Sequence, residues 1–293
     1  MNFDIGDGID AAVNHILDNF SPVLDFIAAA IGFVTGTIHD LLTAAPMPVA
    51  LAIFVLLSLW RVGIGFGLLT GIALWLVNQM GLWDAMMETL SLVIASTLMA
   101  MIVGLPLGIA MARKDSVAAV VRPILDLMQT MPAFVYLIPA AMFFGLGAVP
   151  GALATVIFSM PPVVRLTNLG IRQVHPEFIE AGNAFGCTSW QLLFKVQLPN
   201  AMPSIMAGIN QTILLSLSMV VIASMIGAGG LGNTVLTGIQ RLDVGTGFEG
   251  GLAVVILAVI LDRLTQSLGK SRASFWQGLF RKNERKKMTT ATA

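Results

Sequence analysis

Side chains able to make or break bonds are few in this 293-residue chain, and they are scattered. The three histidines, His15, His39 and His175, lie far apart, and the one cysteine, Cys187, excludes an internal disulfide and any multi-cysteine metal site. No catalytic residue, bound cofactor or metal site is expected. Gly269-Lys270-Ser271 has the ending of a phosphate-binding loop, but position 264 is Leu where that loop needs Gly, and no strand precedes it. The chain is therefore not expected to hydrolyse a nucleotide itself. The informative spacing is mechanical. Glu180-Ala181-Gly182-Asn183-Ala184-Phe185-Gly186 is followed, nine residues on, by Val196-Gln197-Leu198-Pro199. Two helix-compatible runs, Glu177 to Phe185 and Thr188 to Val196, break at Gly186; Thr188 and Ser189 are fit to cap the second, and Pro199 to end it. Such a helix–turn–helix is a compact knob able to dock in a groove.

The elements that must hold this knob are membrane spans. Apolar residues make up 56% of the chain and charged residues 11%, against about 45–50% and 25% in soluble globular proteins. Mean hydropathy is +0.86. Net charge is zero, which gives a nucleic-acid partner no electrostatic support. Charge-free runs predict an all-α polytopic membrane protein with seven spans, near 43–60, 62–80, 89–112, 123–145, 150–168, 203–227 and 246–266. Residues 145–150, Gly-Leu-Gly-Ala-Val-Pro, supply the turn between the fourth and fifth. With the N-terminus outside and the C-terminus inside, fifteen of the sixteen Lys and Arg residues are cytoplasmic, and only Arg241 is not. The first 42 residues hold six Asp and no base. Ile9, Val13, Ile16, Leu17 and Phe20 repeat at helical spacing there, and the apolar run 26–38 is short, so this segment is expected along the outer surface. The basic tail 269–293 is expected in the cytoplasm, its charge serving to orient the chain in the membrane.

The knob resembles the EAA motif of ABC importer permeases, Glu-Ala-Ala-x3-Gly-x9-Ile-x-Leu-Pro. Glu180, Ala181, Gly186, Leu198 and Pro199 match at the same spacing; Gly182 stands for the second Ala and Val196 for Ile. Three further stretches are similar to the glycine betaine/proline betaine/choline permeases: 129–139, 160–165, and 218–223 through 229–232. The likeness covers roughly 85–265. It implies a five-span type I importer core at 85–268, with two added N-terminal spans within 43–84. It implies that 177–199 is the coupling segment seated on a separate ATP-hydrolysing subunit. Glu180 would make a polar docking contact, Ala181 would pack closely, and Gly186 would turn the chain. The implied partners are a second copy, the ATPase subunits and an external substrate-binding protein, all at a bacterial cytoplasmic membrane. The implied substrate is a quaternary ammonium osmolyte.

Physical chemistry adds a pathway reading. Pro106, Pro132, Pro139, Pro161 and Pro162 are expected to interrupt the third to fifth spans, where broken helices line cavities. A quaternary ammonium has no N–H to donate and is best met by aromatic faces, for which Phe134, Tyr136, Phe143, Phe144 and Phe158 are the candidates. Gly227, Gly229, Gly230 and Gly232 allow a tight re-entrant turn, a candidate outer gate. No charged residue falls near the middle of a predicted span, which argues against an ion-coupled carrier. That carrier, and an ABC importer for another small solute such as an amino acid, are the alternatives.

Overall fold

A computed structural model describes residues 5–268, and among them every regular element is helical. The basic tail and the Gly269-Lys270-Ser271 triplet lie outside the described residues. The first element is one long helix, α1 (Ile5–Thr43), rather than an amphipathic segment followed by a short apolar one. It bends at Phe20 (φ −119°, ψ 15°), two residues before Pro22, which has no N–H to continue the ladder. Beyond the bend Ile31 is buried in the core and Gly32 lies 3.7 Å, measured from an ideal Cβ, from Val149. The stretch Val13–Thr43 is itself long and apolar enough to cross a bilayer.

Helices α2 (Met47–Arg61) and α3 (Ile64–Gln79) form an antiparallel hairpin turned at Gly63 and pinned by a Thr70 to Ser58 hydroxyl bond of 3.2 Å. At 15 and 16 residues they are about 22–24 Å long, short of the roughly 30 Å of a hydrocarbon core. Helix α4 (Trp83–Arg113) is long enough, and Pro106 sits inside it without breaking it. The fourth predicted span is not straight. Helices α5 (Asp115–Thr130) and α6 (Leu137–Phe144), joined by a 3-10 turn at Ala133–Tyr136, meet at 109°. Pro132 causes the bend by forcing Met131 into extended backbone (ψ 135°). Pro139 lies in the first turn of α6, where a missing N–H costs little.

Helix α7 (Ala148–Arg172) continues through Pro161 and Pro162 without a break, contrary to the predicted interruption; both rings are buried. Then come α8 (Pro176–Ala184), α9 (Ser189–Leu192), α10 (Leu198–Ala223), α11 (Gly230–Arg241) and α12 (Val244–Leu268). At the start of α12 the Thr246 hydroxyl (2.7 Å) and N–H (3.2 Å) donate to Asp243, holding its carboxyl below the usual carboxylate range. In all, five stretches among the described residues are long and apolar enough to span, or six if the bent α5–α6 pair counts as one.

The centre is α4, α7 and α10 packed side by side. Lipid tails are as apolar as leucine, so close van der Waals contact has to hold such helices. Small residues provide it: Gly104 and Gly108 of α4 fit against Val163, Val164 and Thr167 of α7, and Gly208 of α10 against Pro162 and Val163. Outward-facing Leu56, Ile72, Ile102 and Val255 stay exposed, as expected of a surface bathed in hydrocarbon.

Candidate functional site

The knob at 177–199 is built from two caps placed back to back. At the end of α8 the Gly186 N–H donates to the Asn183 carbonyl (2.9 Å) and the Cys187 N–H to that of Gly182 (3.0 Å). This is a Schellman close, and Gly186, at φ 76°, is its left-handed residue. Two residues on, Thr188 opens α9 with a reciprocal capping box: its hydroxyl accepts from the Gln191 N–H and its own N–H donates to the Gln191 side chain. The break and the cap thus fall where the spacing predicts them.

Pro199 does not end the second helix. The chain runs from α9 through a π-turn at Leu193–Gln197 directly into α10. The Leu198 N–H reaches back five residues to the Leu193 carbonyl, and this widened turn accommodates a proline that lacks a donor. The second helix of the knob is therefore continuous with α10.

The motif residues divide between two faces. Glu180, Ala181 and Gly186 are exposed, Phe185 at the tip is 89% exposed, and Pro199 is exposed beside the start of α10. Gly182 is buried, and a Cβ there would come within 2.7 Å of Leu192 and 3.6 Å of Val196, so the glycine lets α8 close on the second helix. Val196 and Leu198 are half-buried, and Leu198 packs on the inner core of Met111, Leu125, Val163 and Ile205.

Three contacts escaped the sequence reading. Leu193, 1% exposed, plugs the knob into that inner core. The Arg113 guanidinium, at the C-terminal end of α4, lies 4.7 Å from the ring centre of Trp190, which stacks on Phe194. Arg172 of α7 donates to the Met111 carbonyl (2.6 Å), Asp115 (2.7 Å) and Asn168 (2.9 Å), while Arg165 pairs with Asp126 and bonds Gln129. These last bonds tie α5 to α7. The apolar periodicity of a helix gives no sign of which neighbour it meets, so no signal in the chain pointed to them.

The pathway candidates are not gathered into one cage. Tyr136 is buried, its hydroxyl donates to the Met128 carbonyl (2.7 Å), and its ring stands 6.3 Å from that of Phe158. Phe134, Pro132 and Pro139 face outward, and Phe143 and Phe144 are half-buried. At the other end of the molecule, α10 closes in a 3-10 turn, Ser224–Ile226, and the chain reverses through Gly227, Gly229 and Gly230, all at φ between 69° and 81°. The Gly147 N–H donates to the Ile226 carbonyl (2.8 Å), joining this turn to the one before α7. Gly232 packs against the Val220 carbonyl of α10. Among the described residues no cluster of His, Cys, Asp or Glu is arranged to hold a metal.

Residues 104–273 match the family of binding-protein-dependent transport system inner membrane components. The chain belongs to this family. It is a multi-pass inner-membrane permease subunit of an ABC importer. The permease is 49% identical over 271 residues to the glycine betaine/proline betaine transport system permease protein ProW of Escherichia coli, covering 92% of this chain and 75% of that one. It is 48% identical to the glycine betaine transport system permease protein OpuAB of Bacillus subtilis, over 92% of this chain and 96% of that one. It is 49% identical to the glycine betaine/carnitine transport permease protein GbuB of Listeria monocytogenes, over 88% and 93%. Its fold is similar to that of the MetNI methionine ABC transporter in an inward-facing conformation (TM-score 0.56, 24% identity, 64% of this chain and 92% of that one).

Proposed function

We propose that two copies of this permease enclose a pathway for a quaternary ammonium osmolyte of the glycine betaine, proline betaine or choline type. ATPase subunits seat on the knob at 177–199, and an external binding protein delivers the solute. The observation that carries this reading is the knob itself. It offers Glu180 and Ala181 to a partner while its second helix continues unbroken into α10. Movement imposed on the knob therefore reaches the membrane core, and Gly182, Gly186, Val196, Leu198 and Pro199 keep its shape. The substrate class rests on the named transport of ProW, OpuAB and GbuB. Pro132, Phe134, Tyr136, Pro139 and Phe158 are the proposed pathway side, and Gly227, Gly229, Gly230 and Gly232 the proposed outer gate.

Seven crossings, N-out and C-in, fit this assembly: α2, α3, α4, the bent α5–α6 pair, α7, α10 and α12. The core is 85–268, 43–84 adds the hairpin, 1–42 lies along the outer side and 269–293 is the cytoplasmic tail. Charge supports it, because this arrangement puts fifteen of the sixteen Lys and Arg residues on the cytoplasmic side. The permease is read as non-catalytic, with ATP used by its partner.

The deciding experiment is reconstitution with the matching ATPase and binding protein, measuring glycine betaine uptake and substrate-stimulated ATP hydrolysis. Uptake is expected only with all three components and ATP. Uptake without the ATPase that collapses with a proton or sodium ionophore would instead establish an ion-coupled carrier. Stimulation by an amino acid but no betaine would move the substrate class.

A further inference from the structure

Helix α11 begins without a cap of its own. Its N-cap residue, Gly229, has no side chain, yet the first N–H groups of any helix need acceptors. Both come from α4, 142 positions earlier. The Gly230 N–H donates to Glu88 Oε2 (2.7 Å) and the Leu231 N–H to Thr89 Oγ1 (2.8 Å). Thr89 and Leu231 are buried, and Glu88 has no ion-pair partner among the described residues, so its charge faces the positive end of α11. The fit is steric as well. A Cβ at Gly229 would strike the Glu88 carboxylate, and one at Gly230 would strike the Thr89 hydroxyl and come within 3.1 Å of the Thr89 backbone nitrogen.

The other end of α4 carries Arg113 against Trp190 of the knob. Both lie on the one continuous helix α4, and the 25 residues from Glu88 to Arg113 set the two contacts about 37 Å apart. We propose that Glu88 and Thr89 are positioning residues that latch α11 to α4, so that the outer turn moves with the helix whose inner end the knob holds. This rests on reading Gly227–Gly232 as the outer gate. It assigns that gate a specific lever, which neither glycine content nor the knob alone provides.

The test uses the whole transporter, reconstituted with its ATPase and binding protein in a Cys187→Ser background, with spin labels at Asp84→Cys on α4 and Asn233→Cys on α11. Glu88→Ala combined with Thr89→Val, which removes both side-chain acceptors, is expected to broaden the label distance distribution. It is also expected to lower the ratio of stimulated to basal ATP hydrolysis about fivefold or more. Thr89→Ser, which keeps the hydroxyl, is expected to behave as wild type. An unchanged distribution in the double variant overturns the latch, whatever happens to hydrolysis. A broadened distribution with normal uptake and normal stimulation supports the latch and removes the gate reading. Should the double variant not assemble with its ATPase, Thr89→Val alone against Thr89→Ser makes the same comparison.

Discussion

Gly186 shows how much one residue of the knob decides. Its φ of 76° is left-handed, and nothing lies within 4 Å of where a Cβ would stand. Gly186→Ala should therefore cost only the conformational penalty, about 1 kcal/mol. Gly186→Pro also removes the N–H given to Asn183 and demands φ near −65°, so it is expected to abolish co-purification with the ATPase. Glu180→Lys is expected to lose that association while the thermal midpoint of the permease stays put, because the side chain is exposed. Leu193→Ala should do the reverse first: emptying a fully buried site costs about 2–5 kcal/mol and lowers the midpoint in detergent. Gly186 and Thr188 could be read from spacing because caps and turns are local chemistry. Leu193, Arg113, Glu88 and Thr89 could not, because their partners are 77 to 142 positions away or are chosen by packing.

At the scale of elements, proline was the least dependable guide. Of five prolines expected to interrupt spans, only Pro132 accompanies a break, and Pro106, Pro161 and Pro162 sit inside continuous helices. A buried helix keeps its course past a missing hydrogen bond when neighbours grip both sides, whereas Pro132 acts through the residue before it. Pro199 was misread for a related reason, since the π-turn at Leu193–Gln197 absorbs it. That turn invites a direct measurement. Deleting the exposed Lys195 should remove the extra residue and rotate the knob about 100° relative to α10. The variant is expected to insert normally yet show no substrate-stimulated ATP hydrolysis.

At the scale of the whole molecule, α4, α7 and α10 pack together through small residues, and the proposed coupling knob and proposed outer gate lie at opposite ends of α10. Sidedness is its most accessible property. With Cys187→Ser and Ser189→Cys, a membrane-impermeant thiol reagent should label the knob in inside-out vesicles and not in right-side-out ones. Added ATPase should protect it. A cysteine at His39 should give the opposite pattern, and labelling of both sites from one side would reverse the proposed position of α1.

The membrane class, the break and cap of the knob and the asymmetry of charge are legible in the chain, because each depends on residue type and near-neighbour spacing. The course of α1, the 109° bend, the run of α9 into α10 and the hold of α4 on α11 belong to the tertiary structure alone. In a chain that is 56% apolar, hydrophobic pattern cannot tell a lipid-facing side chain from a buried one. Only contact between helices selects which glycine, threonine or carboxylate meets a partner.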